Sequence, residues 1–343
     1  KSAVPENVTL ARYGGDEFAM LLPETVSEVD VEMCAARIQS AFFKPLHIGD
    51  LDLHISLTAG AVMLNNFSDA DAFLRHADLA LTEARRVIAN RVQFFKNEMA
   101  EIVQNETAMG QALRQAAVAG AFELHFQPQL DLEKNQISGF EALIRWNHPT
   151  QGAISPAIFI PLAERSGLVS VIGDWVLFEG CRQAATWHRQ GQNNRVMSIN
   201  ISSAQILTAG FVEKVRSALQ KSGLPPKLLC LELTESIFVG GRYAEAVVIL
   251  ETLAKDGINL ALDDFGTGYS SLSYLAKLPF HTIKIDRAFV AQSDKNERKK
   301  GMLKSIVEMV HALQMSVVAE GAETQEELQL LQNMGVNKVQ GYV

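Results

Sequence analysis

Cysteine is scarce in this 343-residue chain: Cys34, Cys181 and Cys230 lie far apart and form no C-x-x-C arrangement. Three so spaced argue against a disulfide framework and a structural zinc site, and fit a reducing compartment. Long apolar runs are also missing. No stretch approaches the roughly 18 residues that a bilayer span requires, so no membrane contact is expected. Positive charge is in deficit, with 31 Lys and Arg against 39 Asp and Glu and a net charge of −8. Such a balance gives no basic face for polymeric nucleic acid. The eight histidines are scattered, with no H-E-x-x-H. No signal peptide is visible, and the chain opens at Lys1 instead of Met. It therefore reads as a fragment with a cytoplasmic setting, which leaves room for a membrane-anchored sensor upstream.

What is present is an ordinary globular balance, 48% apolar and 20% charged, over a length suited to two or three domains. Residues 9–97 alternate strand-like and helix-like signals. Gly14-Gly15 between two short strand candidates predicts a hairpin, because tight two-residue turns need positive φ. Helices are predicted over 27–43 and 69–87, and strands over 51–64 and 91–95. Residues 98–120, rich in Glu, Gln, Ala and Met, predict a connecting helix with a polar middle.

Beyond Gly120 short apolar runs recur, each ending in a polar or charged residue: 124–127, 137–145, 196–200, 228–232, 260–264, 282–286, 317–320 and 336–340. Eight such runs with helical stretches between them predict a (β/α)8 barrel. Only about ten residues separate Gln127 from Ile137, too few for a helical crossover, so the first pair is expected to be antiparallel. In a barrel of this kind the chemistry sits at the C-terminal ends of the strands. That rim carries Glu141, Asn200, Glu232, Asp263, Asp264, Lys284, Glu320 and Gln340. Five carboxylates brought together repel one another unless cations lie among them. All-oxygen ligands favour Mg2+ or Mn2+ over zinc. Two hard metals sharing a carboxylate are a recurring device for phosphoester hydrolysis.

Glu141-Ala142-Leu143-Ile144-Arg145 resembles the signature of the EAL-domain cyclic di-GMP phosphodiesterases. So do Gln127-Pro128, Asn200-Ile201-Ser202, Glu232-Leu233-Thr234-Glu235-Ser236, Asp263 to Ser271, Lys284-Ile285-Asp286, Glu320-Gly321-Ala322-Glu323-Thr324 and Gln340-Gly341-Tyr342. The resemblance runs from about 106 to 343. It implies hydrolysis of cyclic di-GMP to linear pGpG in bacterial second-messenger signalling. Glu141, Asn200, Glu232 and Asp263 would hold one metal, and Asp263 and Asp264 would serve the second. Lys284 and Glu320 would bind or activate the attacking water. Gln127, Arg145 and Gln340 would contact the dinucleotide, while Glu235, Asp286 and Glu323 would support the mobile loop or the ligands. Members of the family often pair, so a homodimer near Asp286 to Ser293 is expected. The family also continues with a final helix, whereas this chain ends at Val343.

Arg12-Tyr13-Gly14-Gly15-Asp16-Glu17-Phe18 resembles the signature of the GGDEF diguanylate cyclases. The resemblance implies a nucleotide site at Gly14, Gly15, Asp16 and Glu17, with GTP as a possible ligand. Much of that family's pattern is missing. Pro5-Glu6-Asn7-Val8 replaces the R-x-x-D product site, and Ala89 replaces a phosphate-contacting Arg. The segment reads as a partial α+β domain over 1–97 in a regulatory role, ahead of the barrel over 121–343. A catalytically silent cyclic di-GMP receptor, and a bifunctional cyclase and phosphodiesterase in a longer protein, are the alternatives.

Overall fold

The computed structural model describes residues 4, 7–23, 27–49, 51–63, 69–87, 92–192, 194–238, 242–266, 275 and 277–342. The chain divides into two compact units, Lys1–Ala108 and Met109–Val343. The dividing point falls inside one helix, Asn97–Ala119, whose Leu113 and Ala116 are buried in the core of the second unit. Among the described residues no helix is long and apolar enough to cross a membrane.

In the first unit β1 (Thr9–Gly14) and β2 (Glu17–Leu21) form an antiparallel hairpin. Gly15 takes φ +49° in its turn, and Arg12 donates to the Gly15 carbonyl at 2.7 Å. The helix Glu28–Ser40 starts at a capping box, with Ser27 and Asp30 each accepting from the other's backbone N–H. The single strand expected over 51–64 is instead divided. β3 (Leu46–Ile48) and β4 (Leu51–Leu53) make a short antiparallel pair, and β5 (Ala59–Ala61) is separate. β5 pairs in parallel with β6 (Val92–Phe94), and the helix Ala70–Val87 lies between them in sequence as their crossover. A side chain at Gly60 would fall 2.1 Å from the Leu81 nitrogen, so only glycine lets this strand meet the helix. Ala35, Ala80 and Ala84 are the buried apolar side chains of this unit among the described residues.

The second unit is a closed barrel. Its strands run in the order β10 (Val196–Asn200), β11 (Leu229–Thr234), β12 (Asn259–Phe265), β13 (Thr282–Ile285), β14 (Ser316–Ala322), β15 (Lys338–Gly341), β7 (Phe122–Asp131) and β8 (Gln136–His148). The ring closes where β8 pairs with β10. β7 is antiparallel to both neighbours, because its short turn into β8 leaves no room for a crossover. A further strand, β9 (Gly152–Ile154), extends β8 outside the ring, and the sequence reading did not foresee it.

Through their middle residues the strands alternate between two faces. Leu229, Leu231, Leu233, Leu260, Leu262, Ile283, Ile285, Val317 and Ala319 join the buried apolar layer. That layer also holds Leu177, Val215, Leu250, Val307 and Leu331 from the surrounding helices. The intervening residues face the bore, and apart from Val196 and Val318 they are small or polar, as at Ser198, Cys230, Ala261, Thr282 and Ser316. A barrel bore is commonly filled by bulky branched side chains. Here it keeps a cavity of about 170 Å³, lined also by Gln129, Glu232 and Lys338.

Candidate active site

Further along these inward-facing rows, toward the C-terminal ends of the strands, come the carboxylates. Glu141 is on β8, Glu232 on β11, Asp263 on β12 and Glu320 on β14, with Lys284 from β13 in their midst. Lys284 is 1% exposed. Its Nζ lies 3.2 Å from Glu141, 2.5 Å from Glu232, 3.1 Å from Asp263 and 2.8 Å from Glu320. Burial opposes the charge on that ammonium, but the four carboxylates outweigh it and hold its pKa well above the usual lysine value. The carboxylates respond unequally. Burial and the charges of Glu141 and Asp263 push Glu232 up to about 8 against the pull of Lys284. Burial likewise carries Glu320 to about 7. Glu141 is held below its ordinary value although it is buried. Lys284 opposes the burial, Gln340 donates to its Oε2 at 2.5 Å, and Asn200 donates to its Oε1 at 2.6 Å.

The end of β12 departs from alternation. Asp264 takes φ +54°, and the β12–β13 register shifts between Leu262 and Phe265. The left-handed residue re-aims its side chain, so two successive carboxylates reach one site. Asp263 Oδ1 accepts from the Asp264 backbone N–H at 2.9 Å. Burial and the neighbouring Asp263 and Asp286 charges raise the Asp264 pKa.

Two groups of carboxylate oxygens lie within 4.8 Å of one another: Glu141, Glu232 and Asp263, and Asp263, Asp264 and Glu320. Asp263 belongs to both. Five carboxylates facing one ammonium leave uncompensated negative charge in a largely buried place, and every donor is a hard oxygen. These residues therefore fit hard divalent cations.

The other predicted residues are placed as follows. Gln127, on β7, accepts from Gln340 at 3.1 Å and so adjoins the cluster. Arg145 shares the Glu141 face of β8, four residues nearer the rim, and donates to the Ile144 carbonyl. Glu235 Oε1 accepts from the Gly266 backbone N–H at 2.9 Å, at the start of the Gly-rich loop. Most of that loop, from Thr267 to Ser271, lies outside the described residues. Asp286 caps the short helix Arg287–Val290 by accepting from the Ala288 N–H. Glu323 stands apart from the cluster, 43% exposed and paired with Arg287 at 2.9 Å. Glu17 pairs with Arg85 at 2.9 Å. Gly14 ends β1, and Gly15 and Asp16 form the hairpin turn; Pro5, Glu6 and Ala89 lie outside the described residues. Gln129 was missed. It is 3% exposed and donates to Gln340 Oε1 at 3.0 Å. The signal available was its position, two residues after Gln127 and so on the same strand face.

The EAL domain family model matches residues 110–343. The chain belongs to the EAL domain family. A second family, described as diguanylate cyclase, GGDEF domain, matches residues 1–91. MucR of Pseudomonas aeruginosa is named a bifunctional diguanylate cyclase/cyclic di-GMP phosphodiesterase. It is 37% identical over 341 residues, which are 98% of this chain and 49% of MucR. PdeR of Escherichia coli K12, named a cyclic di-GMP phosphodiesterase, is 34% identical over 343 residues, 100% of this chain and 51% of PdeR. The chain thus spans about half the length of these curated relatives. A solved structure of PaMucR phosphodiesterase in a c-di-GMP complex is 41% identical, with a TM-score of 0.64. It covers 68% of this chain, and 94% of that chain is matched.

Proposed function

We propose that the EAL barrel of this chain hydrolyses cyclic di-GMP to linear pGpG with Mg2+ or Mn2+ bound between its carboxylates. The observation that carries this reading is Asp263, shared by two carboxylate groups around Lys284. EAL relatives named for this activity, and a c-di-GMP complex of an EAL structure, support the substrate. Bound cations would neutralise the phosphate charge and lower the pKa of water. In the reaction a water oxygen bonds to phosphorus, the P–O3′ bond breaks, and the 3′-oxygen takes up a proton. Lys284 would hold the water by donation, one of its three N–H groups passing from a carboxylate to the water. Glu320, whose side chain is 20% exposed, stands where that water can reach it and take part in the proton's transfer. Arg145 would grip a phosphate with its planar fork. Gln127 and Gln340 would contact the dinucleotide, and Glu235 would anchor the loop after Gly266. Asp286 and Glu323 would support the same rim from its surface.

A cytoplasmic setting and a homodimer near Asp286 to Ser293 belong to the same reading and rest on the family resemblance. GTP at the hairpin Gly14–Glu17 would act as a regulator, and Arg85 beside Glu17 offers a cation there. The silent-receptor alternative is disfavoured because every ligand position keeps its oxygen donor.

Incubation with cyclic di-GMP and Mg2+, followed by chromatography, should yield pGpG. EDTA should stop the reaction, Mn2+ should restore it, and Ca2+ should restore it poorly because its looser shell holds phosphate and water less tightly. Glu141→Ala should abolish turnover in a folded protein. Binding of cyclic di-GMP with no linear product would favour the receptor instead.

A further inference from the structure

We propose that Gln129 is a positioning residue of this site, holding the Gln340 amide in the orientation that fixes Glu141. The inference rests on the metal-dependent reading above. β15 and β7 are antiparallel, with Lys338 opposite Asp131 and Val339 opposite Leu130. One further step along that register sets Gln340 beside Gln129. A glutamine amide has one acceptor oxygen and two N–H donors. In Gln340 both donors and one lone pair of the oxygen are committed. Oε1 accepts from Gln129 Nε2 at 3.0 Å, while Nε2 donates to Gln127 Oε1 at 3.1 Å and to Glu141 Oε2 at 2.5 Å. Glu141 is then clamped on both oxygens, by Asn200 on Oε1 and by Gln340 and Lys284 on Oε2. Gln340 is 5% exposed, so its Oε1 has little access to bulk solvent. Without a donor at position 129 that oxygen is a buried acceptor lacking a partner. The amide then gains by turning away, and its turning takes Nε2 off Glu141. Gln129 does this through Gln340 and touches no reacting atom.

The cavity beneath the site separates this role from simple packing. Gln129 lines it, and its volume of about 170 Å³ has room for on the order of five waters at roughly 30 Å³ each. Gln129→Ala opens more of that space, and a water there can donate to Gln340 Oε1. Gln129→Met keeps the volume, excludes the water and supplies no donor. A hydrogen-bonding role therefore makes Met the more harmful substitution. A packing role makes Ala the more harmful, because it leaves a void while Met fills it.

The test uses the full chain. Mn2+ is titrated by calorimetry, cyclic di-GMP hydrolysis is measured at saturating Mn2+, and melting is recorded in EDTA. Gln129→Met should weaken Mn2+ binding roughly ten-fold and depress kcat with little change in KM, the scale typical of groups that orient metal ligands. Gln129→Ala should stay nearer the unaltered chain in both. Should Gln129→Met not fold, Gln129→Leu makes the same comparison with a shorter apolar side chain. Mn2+ binding by the apolar variant equal to that of the unaltered chain overturns the proposal. So does a kcat for Gln129→Ala below that of the apolar variant. If the unaltered chain binds no Mn2+, the metal-dependent reading and this inference fall together. If it binds and only the substitution has no effect, this inference falls alone.

Discussion

Lys284 meets carboxylates from four different strands, and these carboxylates titrate differently because their remaining partners differ. Glu141 has two amide donors besides the ammonium and is held ionised. Glu232 is 1% exposed and Glu320 lies beside the same charges, and burial raises them to about 8 and about 7 from an ordinary 4.5. Without metal, the folded chain therefore keeps protons that the unfolded chain has already released. The stabilisation from this difference is present at low pH and is lost as pH rises through 7 and then 8. In EDTA the melting temperature should fall between pH 6 and pH 9. With saturating Mg2+ the fall should largely vanish, because bound cations keep these carboxylates ionised across the range. A melting temperature in EDTA that rises over that interval would show that their folded-state pKa values are not raised.

At the level of the element, the end of β12 carries most of the design. Strict alternation would send Asp263 and Asp264 to opposite faces, and the left-handed turn at Asp264 prevents that. Asp and Asn tolerate positive φ, whereas β-branched residues do not. Asp264→Asn should therefore keep the fold while losing much of the turnover. Asp264→Val should in addition lose about 1–2 kcal/mol of stability relative to Asp264→Asn in denaturant unfolding. Equal stability of the two would mean that this backbone relaxes without cost. The carboxylates were legible in the sequence because each follows its own apolar run. The re-aiming of Asp264 was not, since it depends on one backbone angle that no residue pattern specifies.

At the scale of the whole molecule, stability is concentrated in the barrel. The first unit buries three alanines among its described apolar residues, while the second buries an apolar layer around the entire ring. Residues 97–343 alone, which keep the whole helix Asn97–Ala119, should melt within a few degrees of the full chain. They should also hydrolyse cyclic di-GMP with kcat/KM within a factor of a few, as a domain with its own core does. A truncated chain that aggregates or loses hydrolysis would show that the barrel depends on the first unit.

The order of eight apolar runs, each ending in a polar group, and the ten-residue gap between Gln127 and Ile137 were sufficient to predict a barrel with one reversed strand. Local spacing dictates these features, since period-2 alternation and crossover length are properties of the chain itself. The division of residues 46–61 into three short strands was hidden, because apolar content does not say which partner a strand will find. Gln129 was hidden for a related reason. Its role exists only where β15 returns beside β7 and places residues 211 positions apart within hydrogen-bond distance. Closure of the ring also decided that Glu323, in the same motif as Glu320, faces Arg287 at the surface and not the cluster. Residue identity sets which groups can bear charge or donate a proton. Which of them meet, and at what pKa, is set by burial and by contacts between strands distant in sequence.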